Sequence, residues 1–320
     1  MKDIGGYFEL DIPEISEIYH KEALAINFAR YGLTYIINNY NIKELWVPYY
    51  TCTEVWKALE KTHCKIKFYN TDKNLLPAQD FSPDDFILYT NYFGICAQNV
   101  RNLCKKYKNV IVDNAQAFYM PHCGFADIYS CRKFFGVPDG GYVYCNNSKN
   151  IKLEQDKNSY KRFSHLLMRV EGGSNFGYSM FNQTENSFDS FDIKLMSELT
   201  TKLLKSFDYE KIKNNRLSNF KYLSDSLDEY NMFKFNITEE DVPMYYPFLT
   251  ENKDLRKDLI SNHIYLQECW RDIESKCSPN MYEMYLKKNL YLLIIDQRYN
   301  LDDMKKQVNI IKKHLNTGYI

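Results

Sequence analysis

Short apolar runs alternate with segments of helical spacing along the first 150 residues, and this alternation constrains the fold more than any other feature. Leu45-Trp46-Val47-Pro48 is an apolar run closed by a proline. Thr53 to Thr62 carries Val55, Trp56 and Leu59 at helical spacing. Lys65 to Tyr69 alternates like a strand, and Phe86 to Tyr89 is a second apolar run. Val100 to Tyr107 reads as a short helix, and Val110-Ile111-Val112 as a buried strand with Asp113 at its carboxyl end. Ala126 to Ser130 and Gly141 to Cys145 complete the series. Strands separated by helices predict an α/β fold with a mainly parallel sheet covered on both faces.

The second half has a different rhythm. Met196 to Tyr230 reads as one long helix, with Met196, Leu199, Leu203 and Phe207 on one stripe. Tyr245 to Leu249 and Leu290 to Ile295 are strand candidates, and Met304 to Leu315 lies in a terminal helix. This pattern predicts a large domain over residues 1–200 and a smaller α+β domain over 201–320. Between the halves, Gly172 to Asp192 is rich in Ser, Asn, Gly and Phe and reads as a surface loop. Its rings at Phe176, Tyr178, Phe181, Phe188 and Phe191 favour the alternative of burial against a second subunit.

Charge and cysteine content exclude several classes. Lys plus Arg and Asp plus Glu both number 41, without the basic excess of a nucleic-acid or anionic-membrane binder. The longest apolar runs, such as Leu292 to Ile295, are far too short to span a bilayer, and the first residues lack an apolar signal core. Nine cysteines without a CxxC pair argue against a disulfide scaffold and point to a reducing cytoplasm. His63-Cys64 and His122-Cys123 lack zinc-site spacing, so no metal is expected. Dinucleotide, P-loop and nucleophile-elbow glycine motifs are absent.

Three segments place chemistry where open α/β sheets bind ligands, beyond the carboxyl ends of strands. Asn27-Phe28-Ala29-Arg30 leads into a helix and suits an anion. Taken alone, it is equally a plain N-cap. Asp113-Asn114-Ala115-Gln116-Ala117 follows the buried strand, and its acid is either a cap or a charge aimed at a ligand. Ser130-Cys131-Arg132-Lys133 follows another strand, and Gly140-Gly141 opens the next one. The lysine is either a solvated charge or a desolvated amine able to form a Schiff base. In this order, anion site, strand-end acid and lysine match the needs of a pyridine aldehyde with a phosphate tail.

The chain resembles the DegT/DnrJ/EryC1/StrS family of pyridoxal-phosphate (PLP) sugar aminotransferases, of fold type I, over nearly its whole length. Ala29-Arg30 stands at the family's phosphate turn, and Val47-Pro48-Tyr49-Tyr50-Thr51 is similar to its Val-Pro-x-x-Thr segment. Asn91-Tyr92-Phe93-Gly94 resembles its His-x-Tyr-Gly turn. Asp113 to Ala117 and Lys133 with Gly140-Gly141 match its most specific spacings, and Met196 to Leu199 resembles the start of its interdomain helix.

The resemblance implies that Lys133 carries the Schiff base and shuttles the proton, and that Asp113 keeps the ring nitrogen protonated. It places Gln116 near the 3-hydroxyl, and Ser130, Asn27 and the amides of Ala29 and Arg30 at the phosphate. Tyr50 or Cys52 would face the ring, and Asn91 would line the cofactor site. It also implies glutamate as amino donor, a nucleotide-linked keto sugar as acceptor, surface polysaccharide synthesis, and a homodimer with a shared active site. A sugar dehydratase or a non-catalytic binding module is the alternative; the family's dehydratases replace the lysine by histidine, whereas Lys133 is present. The chain departs from the pattern at Ala29, where the family has Gly, and at Cys52, where many members have an aromatic. Ser130 and Lys133 are two residues closer than usual, and Ile193-Lys194 stand where an interface Asn is expected.

Overall fold

The computed structural model describes residues 4–145, 152–188, 192–252, 254–268 and 270–317. The strands of the first half are β1 (Leu24–Ile26), β2 (Glu44–Pro48), β3 (Lys65–Tyr69), β4 (Ile87–Thr90), β5 (Val110–Asn114), β6 (Ala126–Ser130) and β7 (Gly141–Cys145). They form one sheet in the order β1-β7-β6-β5-β4-β2-β3. Pairs from β3 through to β6 are parallel, and β7 runs antiparallel to both β6 and β1. Successive side chains of a strand point to opposite faces. Every residue of β4 and of β6 is nonetheless buried, so both faces of the sheet are covered. The predicted mainly parallel α/β sheet is therefore present.

The covering helices are α1 (Arg30–Tyr40), α2 (Thr53–Glu60) and α3 (Ala97–Lys106). α3 starts three residues before its apolar spacing predicts. Its first amide, Ala97 N–H, donates to Asp241 Oδ1 at 2.9 Å, a cap supplied from 144 residues away. β1 was not foreseen. It is three residues long, and it exists because β7 offers it an edge at Leu24–Val143 and Ile26–Gly141.

The predicted loop from Gly172 is helical. α4 (Ser164–Ser187) is two helical pieces joined at Gly173, whose φ of 78° and ψ of −172° suit glycine alone. The second piece folds back on the first, with Phe181 and His165 ring centroids 5.6 Å apart. Polar composition hid this helix, because its stability comes from the helix-on-helix packing rather than from propensity. Phe188 at its end is fully buried against Phe28 and Tyr31, whereas Val170, Phe176 and Tyr178 are exposed. Phe191 lies outside the described residues.

The predicted long helix at 196–230 is also divided, into α5 (Glu198–Lys205) and α6 (Tyr209–Leu227). Asp208 breaks it by capping afresh, accepting from Lys211 N at 2.9 Å. Residue 200 falls inside α5. Beyond follow β8 (Tyr245–Leu249), α7 (Leu255–Ser261), α8 (Tyr282–Asn289), β9 (Leu290–Ile294) and α9 (Leu301–Thr317), with β8 and β9 paired antiparallel. No described helix is long and apolar enough to cross a membrane.

Candidate active site

The carboxyl ends of β2, β4, β5 and β6 lie side by side because those strands are parallel neighbours. They deliver Tyr50 to Cys52, Asn91 to Gly94, Asp113 to Ala117, and Ser130 to Lys133 to one edge of the sheet. Asp113 pairs in register with Thr90 on one side and Ile128 on the other, so it stands at the centre of that edge. Its Oδ1 accepts the Ala115 amide at 2.9 Å, and Oδ2 has no hydrogen bond among the described residues. Burial pushes the Asp113 carboxyl above its ordinary value, against the pull of Lys133. Lys133 is half-buried and makes no ion pair or hydrogen bond among the described residues. The amine and the carboxylate are thus within electrostatic reach of each other without forming an ion pair among the described residues.

Cys52 belongs to the same pocket. Burial raises its thiol pKa, Lys133 lowers it, and Asp113 is among the weaker influences raising it. The thiol stands at the head of α2, within electrostatic reach of Asp113 and Lys133. Tyr50 is buried elsewhere, 4.4 Å edge-on to Trp270 and 5.7 Å from Tyr92. Trp270 comes from the second half of the chain, so no local motif could reveal it.

Three of the predicted site residues, Asn27, Asn91 and Gln116, have side chains bonded within the scaffold. Asn27 donates to Asp192 O at 2.9 Å, and its Oδ1 accepts the amides of Phe28 and Lys194 at 3.0 and 3.1 Å. It ties the end of β1 to the segment before α5. Asn91 donates to Asn114 Oδ1 at 3.0 Å and accepts the Cys96 amide at 3.1 Å. Behind it, Asn114 donates to Asp127 at 2.9 Å, and Asp127 holds His122 at 2.5 Å. Gln116 Oε1 accepts the Phe93 amide at 2.7 Å. Phe93 has a φ of 58°, an uncommon strained conformation for a bulky residue that this bond helps to hold.

α1 begins at Ala29 without a side-chain cap. A Cβ on Gly141 would lie 2.6 Å from Ala29 N, so the second glycine of the pair serves a close approach between two backbone segments. The neighbour that requires this glycine is the Ala29 turn. Arg30 pairs with Glu54 and lies 4.0 Å from Glu185, while Arg132 pairs with Glu185. Both guanidiniums also face the Phe188 ring, at 5.2 and 4.4 Å. Arg132 and Glu185 were not singled out from sequence, although Arg132 adjoins Lys133. Among the described residues no His, Cys, Asp and Glu cluster could hold a metal ion.

No family model and no curated protein sequence matches this chain. Solved structures do. Spr1654 of Streptococcus pneumoniae, assigned as a sugar aminotransferase and solved in its PMP form, superposes with a TM-score of 0.66 at 13% identity over 92% of this chain and 88% of its own. DesV of S. venezuelae, in complex with a ketimine intermediate, gives 0.64 at 15% identity, over 91% and 84%. A DegT DnrJ EryC1 StrS aminotransferase from Brucella abortus gives 0.62 at 13%, over 91% and 85%. The fold is that of the fold type I sugar aminotransferases.

In a fold type I frame, the residues present suit PLP. Lys133 offers an unpaired amine, Asp113 an open carboxylate oxygen for a ring nitrogen, and Ser130 a hydroxyl without a hydrogen bond among the described residues. α1 offers a helix N-terminus to an anion.

Proposed function

We propose that the chain is a PLP-dependent aminotransferase that moves an amino group from glutamate to a nucleotide-linked keto sugar, in the cytoplasm, for surface polysaccharide or related sugar synthesis. The observation that carries this reading is the half-buried Lys133, without an ion pair among the described residues, near Asp113 at the carboxyl edge of a fold type I sheet. The bound cofactor would supply an electron sink for the carbon that loses its proton.

Each residue then has a task of its own. Lys133 Nζ would anchor the cofactor and afterwards act as the base, taking a proton from the amine-bearing carbon of the donor and giving it up within that half-reaction, and delivering a proton to the corresponding carbon of the acceptor in the second. Asp113 Oδ2 would hold a proton on the ring nitrogen, which explains an acid kept at the end of a buried strand despite its desolvation. Ser130 and the amides of Ala29 and Arg30 would hold the phosphate, with Asn27 fixing the turn behind them. Gln116 would lie by the ring hydroxyl, with Asn91 setting that turn. Cys52 would close one face of the ring, a place that the buried Tyr50 leaves to it.

We further propose a division at residue 200 into a cofactor-holding part and a smaller closing part, and a homodimer whose partner completes the site. The exposed apolar apex of α4 supports the dimer. Borohydride reduction of protein incubated with PLP, followed by peptide mass mapping, tests the central claim. Label on Lys133 is expected; label elsewhere, or no uptake, overturns it.

A further inference from the structure

Arg216 on α6 is the largest fully buried side chain of the described residues and has no carboxylate in ion-pairing contact there. A guanidinium held this way is costly unless its donors are used. Burial lowers its pKa to about 10. Its Nε donates to Gln297 Oε1 at 3.0 Å, and its Nη1 to Pro243 O and Met244 O at 3.4 and 3.3 Å. Its flat face lies 4.4 Å from the Phe134 ring. Gln297, in turn, donates to Phe134 O at 2.6 Å. Phe134 is the residue after Lys133. Its ring is thus held by Arg216 and its carbonyl by Gln297, from a loop that follows β9.

A second arm leaves the same guanidinium. Met244, whose carbonyl Arg216 holds, donates its amide to Phe93 O at 2.8 Å, and Phe93 N–H is held by Gln116. One buried cation therefore connects the Lys133 turn with the strained turn beside Gln116. Both arms cross from the second half of the chain to the sheet edge.

We propose that Arg216 and Gln297 are positioning residues that set the orientation of Lys133 through Phe134; this rests on Lys133 being the cofactor anchor. The residue after Lys133 is clamped at its ring and its carbonyl, which fixes the backbone from which the lysine side chain leaves. Neither residue touches the reacting atoms. Gln297 is half-buried, so its replacement spares the core.

The test is made on the full chain without cofactor. Lys133 is acetylated competitively with acetic anhydride across pH, with exposed Lys221 as internal reference, and both are read by peptide mass mapping. In Gln297→Ala the Lys133 profile is expected to move by ~0.5 pH unit or more while the melting temperature falls by only a few degrees. Gln297→Glu is the discriminating variant. It keeps an acceptor for Arg216 but opposes an oxygen to the Phe134 carbonyl, so Lys133 should shift as in the Ala variant while Arg216 stays satisfied. Glu restoring both stability and the wild-type Lys133 profile, or no Lys133 shift in either variant, overturns the proposal. PLP uptake measured in parallel separates the two claims. Absent uptake in the wild type sinks the cofactor reading, while the acetylation profile still decides whether the clamp orients Lys133.

Discussion

Asp113 shows how much a single position can carry. Its raised pKa means the folded apoprotein binds a proton more readily than the unfolded chain. The group therefore costs stability at pH above its folded value, and a cation on the ring nitrogen would recover that cost. Asp113→Asn keeps an acceptor for Ala115 N–H. The apo variant should melt at or above the wild-type temperature at pH 7, whereas turnover should fall by on the order of a hundredfold, about 3 kcal/mol. Calorimetry beside steady-state kinetics checks both, and an undiminished rate would reduce Asp113 to a strand-end cap. His20 gives the second residue-scale prediction. It is buried and neutral, held by Phe118 O at 2.8 Å and Tyr144 Oη at 3.2 Å, and burial lowers its pKa from 6.5 to about 4. A depressed histidine stabilises above its unfolded pKa and loses that contribution as pH falls. About 3 kcal/mol of stability should vanish between pH 6.5 and 4, and His20→Gln should flatten this acid limb in pH-dependent melts. The residue types brought together at the centre of the candidate site were legible because strand-end chemistry is local. Asn27 was not, since its side chain answers to Asp192 and Lys194, more than 160 residues away.

Helices and strands divide by what holds them. Runs such as β4 and β5 were readable because a strand buried on both faces is apolar over most of its length, and the edge strand β3 because its Lys-Ile-Lys-Phe alternation marks one exposed face. α4 was missed because Gly172, Gly173, Ser174 and Asn175 signal a loop, and only the fold-back onto its own first half makes it helical. Its joint has a sharp consequence. A Cβ at Gly173 would meet nothing within 4 Å, so a side chain there is opposed by backbone conformation alone. Gly173→Ala should therefore lower stability by about 1–3 kcal/mol without a packing clash. Urea unfolding that shows no loss would mean the joint tolerates an ordinary backbone conformation.

Among the described residues, exposed apolar side chains gather at the N-terminal stretch from Ile4 to Ile15 and on the α4 hairpin, and the hairpin is the one held in a folded element. Leu167, Val170, Phe176 and Tyr178 on the α4 hairpin are 54, 84, 57 and 62% exposed. Burying one such side chain is worth about 1.5–3 kcal/mol, so a two-fold contact here would gain twice from each. Light scattering at micromolar concentration should give a dimer, and Val170→Glu with Tyr178→Glu should weaken it at least tenfold. A wild-type monomer fully loaded with PLP and active would reject a shared site. The opposite end of the hairpin packs through Phe188 on Phe28 and Tyr31, beside the start of α1.

Sequence alone determined the α/β class, the positions of most sheet strands, and the grouping of Asp113 with Lys133. Each of these depends on short-range periodicity or on the rule that parallel strands present their carboxyl ends together. Tertiary structure alone decided which polar groups remain free for chemistry. Gln116 is bonded to Phe93, Asn91 to Asn114, and Arg216 clamps the turn after Lys133, each through a partner distant in sequence. A hydrogen bond between residues far apart in the chain leaves no spacing to read; it exists only once the chain has brought its ends together.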